Sequence, residues 1–269
     1  MDPELPLVSV LFITYKRLAL LQAAVEAFLR NTQYPNLQLV IADDGSAPEI
    51  QEAIRKLPVD VFALSPRNRG LGANTNTGLS QCSGKYILVL QDDWLCAGPK
   101  DYLLQSVRVM EANPHVGLIN YAGGPNLPDK TQRVAGSDEP CYIVWQTIPD
   151  HPASFLYSDQ PHLQSRAAVD YVGPYREARQ MEDCERDYEI RWGKQDKFAT
   201  ALFPAYFMHV FTNNGVEDSL RTGRMRYRMD AALAPAGNFL KQHCRPVFVM
   251  ARSAVRGVQN LLETIGVMK

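Results

Sequence analysis

The 269-residue chain lacks a strong charge of either sign: 28 Lys plus Arg stand against 29 Asp plus Glu, a formal net charge of −1. No global field therefore gathers nucleic acid or an anionic membrane. Cysteine is sparse and unpaired in pattern. Cys82, Cys96, Cys141, Cys184 and Cys244 are odd in number and far apart, without a C-x-x-C, which suggests neither a disulfide framework nor a structural zinc site and suits a reducing, cytoplasmic home. The start, Met1-Asp2-Pro3-Glu4-Leu5-Pro6, is acidic and broken by prolines, unlike a signal or transit peptide. No stretch approaches the roughly 18 uninterrupted apolar residues of a membrane span. Also missing are G-x-x-x-x-G-K-[ST], H-E-x-x-H and G-x-S-x-G, and the Gly70-x-Gly72 pair lacks the third glycine of a dinucleotide fingerprint.

What remains is an ordinary folded composition, 46% apolar, long enough for one large domain or a domain with an appendage. Charge is uneven: from Ala205 to Lys269 there are nine Lys or Arg and four Asp or Glu, so a polyanion meets the C-terminal part first.

Hydrophobic periodicity alternates. VSVLFIT (Val8 to Thr14) predicts a strand covered on both faces, and Leu18, Leu21, Val25, Phe28 and Leu29 repeat at helical spacing. Further strands are predicted at Leu37 to Ala42, Val59 to Leu64, Tyr86 to Leu90, Val116 to Tyr121 and Phe198 to Phe203. Helices are predicted at about 49–57, 71–82, 101–113 and 181–192. Ala122 to Gln160, rich in Gly, Pro, Asp and Asn, reads as a loop-rich excursion, and Phe239 to Ile265 as one or two helices. Such alternation gives an α/β fold with a parallel sheet, whose ligands sit beyond the carboxyl ends of the strands.

The residues at those ends are Thr14-Tyr15, Asp43-Asp44-Gly45-Ser46, Asn68-Arg69-Gly70 and Gln91-Asp92-Asp93. Asp43-Asp44-Gly45-Ser46 suits a carboxylate accepting from a pyrimidine N3–H, and equally suits turn and cap chemistry. Gln91-Asp92-Asp93 offers hard oxygen ligands for Mg²⁺ or Mn²⁺, or a pair of solvated turn acids. Met181-Glu182-Asp183-Cys184-Glu185 heads a predicted helix, where acids suit the helix dipole and where a carboxylate can serve as a general base. His209 stands alone in an apolar run and gains meaning only if the fold returns it to Asp93.

In order and spacing these pieces resemble the family 2 glycosyltransferases over roughly residues 7–210. The resemblance rests on Val8-Ser9-Val10 through Thr14-Tyr15-Lys16-Arg17, Asp43-Asp44-Gly45-Ser46, Asn68-x-Gly70 with Asn76-x-Gly78, Gln91-Asp92-Asp93, Val172-Gly173 before Glu182-Asp183, and His209. It implies the GT-A fold, a nucleotide-sugar-binding sandwich with a mostly parallel central sheet, plus a C-terminal helical extension. By the same resemblance, residues 1–121 form the nucleotide-binding half, 122–210 the acceptor-binding and catalytic half, and 211–269 a basic, largely helical extension. Donor contacts are implied for Thr14, Tyr15, Arg17, Asp44, Asn68, Gly70, Asn76, Gln91 and Asp92. Asp93 and His209 are the implied ligands of Mn²⁺ or Mg²⁺, Asp183 the base, and Glu182 its neighbour in an E-D pattern. Gln91 departs from the usual first acid, which favours metal binding together with the nucleotide. Arg221 and Arg226 lie where the family often carries a segment closing over the donor, and can hold the diphosphate or form a solvated basic face.

The implied chemistry is a single in-line displacement with inversion, moving a sugar from a UDP-sugar, or a dTDP-sugar, to a hydroxyl of a glycan, a lipid-linked saccharide or another acceptor. The C-terminal helices are expected to pack on the domain, with pairing to a second copy as a homodimer, or peripheral contact with the inner face of a membrane, as alternatives. A sugar nucleotidyltransferase fits less well because Thr14-Tyr15-Lys16-Arg17-Leu18 has no glycine. A non-catalytic nucleotide-sugar or carbohydrate-binding protein of the same fold is the other alternative.

Overall fold

Seven residues without a charge, Val8–Thr14, form the first strand (β1) and are buried along their whole length. Leu11 and Ile13 face a core that includes Tyr188 and Trp192, while Phe12 meets Phe28 edge-on from the other side, with ring centroids 5.8 Å apart. Each such side chain contributes roughly 1.5–3 kcal/mol by leaving water. The strand is thus covered on both faces, as its composition predicts.

The computed structural model describes residues 5–121, 132–133, 142–144, 156–178 and 181–210. The chain divides into two units, Met1–His209 and Val210–Lys269, and every element below lies in the first. The predicted C-terminal helices fall outside the described residues. After β1 come α1 (Leu18–Asn31), β2 (Leu37–Asp43), α2 (Pro48–Ile54), β3 (Val61–Leu64), α3 (Leu71–Gln81) and β4 (Tyr86–Gln91). They are followed by β5 (Trp94–Cys96), α4 (Tyr102–Ala112), β6 (Val116–Asn120), β7 (Gln132–Arg133), β8 (Tyr142–Val144) and β9 (His162–Ser165). The unit ends with α5 (Arg166–Val172), α6 (Met181–Lys194), β10 (Ala199–Leu202) and β11 (Phe207–His209). Among the described residues no helix is long and apolar enough to cross a membrane.

The main sheet has the order β3-β2-β1-β4-β9-β6-β10-β8-β7. Strands β3, β2, β1 and β4 are mutually parallel, β9 runs antiparallel between β4 and β6, and β8 runs antiparallel to β10 and β7. The mostly parallel sheet is therefore present, with two antiparallel members that the hydrophobic pattern does not show. β9 escapes detection because two of its four residues, His162 and Gln164, are polar and buried. β7 and β8, inside the predicted excursion, span two and three residues, too short to display a period of two.

Local chemistry fixes the later helices. The Ser165 hydroxyl caps α5 by accepting the Ala168 N–H, and Gly173 ends it at φ +84°. α6 carries Glu182 and Asp183 in its first turn and Arg191 and Lys194 in its last, in agreement with its dipole. A second, two-stranded sheet joins β5 to β11, pairing Trp94 with His209 and Cys96 with Phe207. β11 is anchored by aromatic contacts, with Phe207 at 5.6 Å from Tyr102 and 5.3 Å from Tyr121 between ring centroids.

Candidate active site

Register sets the site. Thr14 pairs with Asp43 and Ile13 with Gln91, so β1, β2 and β4 end at one level. The ladder runs one bond further on each side, from Asp44 N–H to the Thr14 carbonyl and from Asp92 N–H to the Ile13 carbonyl. Asp44 and Asp92 consequently flank the end of β1. Asn74 of α3 reinforces the edge by donating to the carbonyls of Thr14 and Ala42, at 3.3 and 3.1 Å.

The two adjacent acids at the end of β2, Asp43 and Asp44, have different work. Asp43 closes the turn by accepting from the Ser46 N–H, the Ser46 hydroxyl and Gln51 Nε2. Asp44 reaches across to the β3–α3 loop, accepting the Arg69 N–H at 2.8 Å and the Gly70 N–H at 2.9 Å. Burial raises the Asp44 carboxyl above its usual range, against the pull of those two N–H groups. Gly45, directly after Asp44, sits at φ +78°, where a Cβ would come within 2.2 Å of the Arg67 carbonyl carbon. Only glycine fits a loop pressed this closely on its neighbour.

The acids after β4 are held by Arg17. Lys16 adopts φ +62° and its N–H is bound by the Ser46 hydroxyl, which turns the chain so that Arg17 faces the acids. The guanidinium donates to Asp92 through Nε at 3.1 Å, pairs with it again through a second nitrogen, and reaches Asp93 Oδ2 at 2.9 Å. The Thr14 hydroxyl completes the shell of Asp92 at 2.6 Å. Burial pushes the Asp92 carboxyl up to about 7, even with Arg17 pulling the other way. Asp93 behaves oppositely: burial would raise it, but hydrogen bonds from His209 and Arg17 outweigh that and hold it below the usual range. His209 Nε2 lies 3.4 Å from Asp93 Oδ2, and the imidazole packs on Trp94 with centroids 4.7 Å apart. The fold thus returns the late histidine to the acid motif.

Asp93 Oδ1 is buried and has no hydrogen-bond partner among the described residues. One such carboxylate oxygen beside one imidazole nitrogen suits Mn²⁺ or Mg²⁺, whose remaining positions substrate phosphates and water ordinarily fill. These residues fit the ion.

Residues 9–163 match the model of Glycosyl transferase family 2, more than half of the chain. The chain belongs to glycosyl transferase family 2. A Bacillus subtilis protein named as a glycosyltransferase, EpsH, is 32% identical over 123 residues, 44% of this chain and 35% of that protein. The Campylobacter jejuni GalNAc(5)-diNAcBac-PP-undecaprenol β-1,3-glucosyltransferase is 29% identical over 118 residues, 42% of this chain and 37% of that protein. The matches therefore span little more than a third of those relatives. Among solved structures, residues 1–349 of S. aureus TarS in complex with UDP-GlcNAc are similar at a TM-score of 0.57 and 15% identity, covering 79% of this chain and 61% of that one. A Pyrobaculum calidifontis mannosyltransferase in complex with GDP-Man and Mn²⁺ reaches 0.51 at 17% identity, covering 73% and 56%. The fold of this family 2 chain is the GT-A fold.

The implied site residues of this family 2 chain fall into groups. Thr14, Arg17, Asp92, Asp93 and His209 meet in one hydrogen-bonded cluster, with Asp44 and Gly70 joined on the far side of β1. Tyr15 is partly exposed beneath Lys16, whose Nζ lies 4.8 Å from the ring centroid, and Asn68 is exposed. Asn76 stands apart. Its amide spends both polar atoms on the backbone of Tyr175, at 2.8 Å each, which ties α3 to the segment before α6. Gln91 donates to the Asp159 carbonyl at 3.3 Å, a bond that the usual acid at this position cannot make. Glu182 and Asp183 are exposed at the head of α6. Arg221 and Arg226 lie outside the described residues.

Sequence reasoning passed over Asn74 and Asp159. Asn74 lies inside the asparagine-rich stretch Asn68 to Gly78 and so has a signal. Asp159 had none, because it sits in the unpatterned excursion.

Proposed function

We propose that this chain moves a sugar from a nucleoside diphosphate sugar, by preference a UDP-sugar, to an acceptor hydroxyl, with a divalent ion and with inversion at the anomeric carbon. The observation that carries this reading is the meeting of His209 with Asp93 at the same sheet edge that Asp44 and Asp92 flank. Two donors of that kind beside a paired acid have a use in holding an ion against a diphosphate.

Asp44 offers lone pairs beyond the two used by Arg69 and Gly70, and with the partly exposed Tyr15 it is the proposed contact for the pyrimidine and ribose. Asp92, kept in place by Thr14 and Arg17, is proposed beside the ribose or sugar. Asp93 and His209 would hold the ion, which when bound neutralises charge growing on the departing diphosphate. Arg17 already spans both acids and is proposed to exchange part of that contact for a diphosphate oxygen. A carboxylate at the head of α6, Asp183 by the motif match, is proposed to take the acceptor proton.

The names of similar proteins support the substrate classes: TarS was solved with UDP-GlcNAc, and the Campylobacter protein is named for a saccharide on undecaprenyl diphosphate. A lipid-linked or other glycan acceptor, met at the cytoplasmic face of a membrane through the basic 211–269 region, is the corresponding proposal here. Calorimetric titration with UDP, dTDP, GDP and CDP, each with Mn²⁺ and with EDTA, tests the core of it. Mn²⁺-dependent binding of UDP is expected. Binding of none of the four would overturn the transferase reading in favour of a non-catalytic member of the fold.

A further inference from the structure

Residues 173–178, which follow α5, have no regular secondary structure. Tyr175 within them is only 4% exposed, so its N–H and carbonyl must find partners outside a ladder. They find both on one side chain. Asn76, in the second turn of α3, accepts the Tyr175 N–H and donates to the Tyr175 carbonyl, each at 2.8 Å. A primary amide offers a donor and an acceptor together, which is what taking both polar groups of one residue requires. From the other side Arg191 of α6 donates to the carbonyls of Val172 at 2.6 Å and Pro174 at 2.8 Å.

Tyr175 is therefore clasped between two helices. Its ring stacks on Tyr188 of α6, with centroids 4.2 Å apart and 13° between the planes, and α6 is the helix whose first turn holds Glu182 and Asp183. On the opposite side α3 starts directly after Gly70, whose N–H is held by Asp44. One residue thus ties the helix that leads out of the Asp44 loop to the helix that carries the acids. The segment has little room to shift against α3, because a Cβ on Gly72 would stand 2.2 Å from the Arg176 carbonyl oxygen. The Arg69–Glu177 ion pair spans the same gap at 2.9 Å but is exposed on both partners and adds little.

We propose that Asn76 is a positioning residue for sugar transfer: through Tyr175 it fixes the acidic head of α6 relative to the sheet edge that Asp44 and Asp92 flank. This rests on the transferase reading given above, keeps its chemical steps, and takes Asn76 out of the donor contacts that the resemblance implies. The nucleotide side of the site is held by other bonds, those of Asp44 to the Arg69 and Gly70 N–H groups and those of Asp92 to Thr14 and Arg17. Opening the clasp therefore moves the acids of α6 and leaves the nucleotide contacts in place. A misplacement of about 1 Å at the reacting groups costs up to about a hundredfold in rate.

The test uses the full chain with Mn²⁺, below the unfolding midpoint of each variant. It reads UDP affinity by calorimetry, UDP released from UDP-glucose, UDP-galactose and UDP-GlcNAc with water as acceptor, and amide hydrogen exchange. In Asn76→Ala, release is expected to fall at least about tenfold with UDP affinity within about twofold. Exchange should quicken at Tyr175 and in α6 around Tyr188, while Arg69 and Gly70 stay protected. Asn76→Asp keeps the acceptor for the Tyr175 N–H and loses only the donor to its carbonyl, so it serves if the alanine variant does not fold, and its loss should be smaller. Arg191→Lys loosens the same segment from α6, and combined with Asn76→Ala it should slow release by less than the product of the two single losses. The proposal is overturned if UDP affinity falls as much as release, which would return Asn76 to the donor, or if release in Asn76→Ala keeps the wild-type rate. No release by the wild type from any of the three donors would instead sink the transferase reading itself, and unchanged exchange in α6 would then show that Asn76 does not hold that helix.

Discussion

Replacing Asp44 by Asn separates what this carboxylate does for the fold from what it does for a nucleotide. It is 4% exposed and accepts two backbone N–H groups from a loop more than twenty residues later, Arg69 at 2.8 Å and Gly70 at 2.9 Å. The amide of Asn keeps one acceptor and turns a donor on the other N–H. One charge-assisted bond, about 1.5–3 kcal/mol, is lost and two donors oppose each other. Part of this is returned, because burial already disfavours the ionised carboxyl. The net loss should be about 2 kcal/mol, which for a domain of this size lowers Tm by about 4–8 °C. Thermal unfolding reads the sum, and amide hydrogen exchange at Arg69 and Gly70 reads the place. A Tm within 1 °C of the wild type with unchanged exchange at both amides would refute the idea that Asp44 ties the two loops. If UDP affinity nonetheless fell in that variant, the carboxylate would serve the nucleotide alone.

Three other outcomes are expected. Arg17→Gln removes the cation that competes for Asp93, so Mn²⁺ affinity without nucleotide should rise at least about fivefold by titration, given the Coulomb attraction of an ion to an uncompensated acid pair; an unchanged isotherm would show that Arg17 does not compete. Gly78→Ala puts a Cβ 2.4 Å from Leu11 Cδ1 and 2.9 Å from Ala42 Cβ. Overpacking of about 1–3 kcal/mol should exceed the helix-propensity gain of up to about 1 kcal/mol and lower the urea midpoint, whereas a raised midpoint would contradict the close α3 contact. For Asp159, the folded carboxyl titrates at about 7 against a usual 3.8. Between those values the folded state holds a proton that the unfolded chain has lost, so stability falls as pH rises through the window. Asp159→Asn should gain relative to the wild type from pH 5 to pH 8 in urea unfolding, and a pH-independent difference would place the titration elsewhere.

The strand ends were legible because their physics is local. β1, β2 and β4 are apolar runs that stop at polar residues, and a sheet covered on both faces has no other place for them, so Thr14, Asp44 and Asp92 fall on one edge from pattern alone. β9 was hidden for the opposite reason. Its His162 and Gln164 are buried polar residues, Gln164 receiving the Tyr188 hydroxyl at 3.1 Å, and a hydrophobic template reads such residues as surface. β11 is three residues long and earns its position from packing on Tyr102 and Tyr121, contacts that no window around His209 contains.

The same division explains the chemistry. Which residues are acids is written in the sequence, but which acid is paired, buried or exposed is decided by distant partners. Arg17 makes Asp92 and Asp93 differ although they are neighbours: Asp92 is fully enclosed and raised, while Asp93 is lowered with His209 at its edge. Gln91 illustrates the point most directly. At the motif it looks like a missing acid, yet its partner is the Asp159 carbonyl, which a carboxylate would repel and an amide can bind. A residue that departs from the pattern of its family at one end of a strand is thus explained by a loop near residue 160. That loop links the carboxyl end of β4 to α6, its Asp159 carbonyl accepting from Gln91 and its Asp159 N–H donating to Glu185.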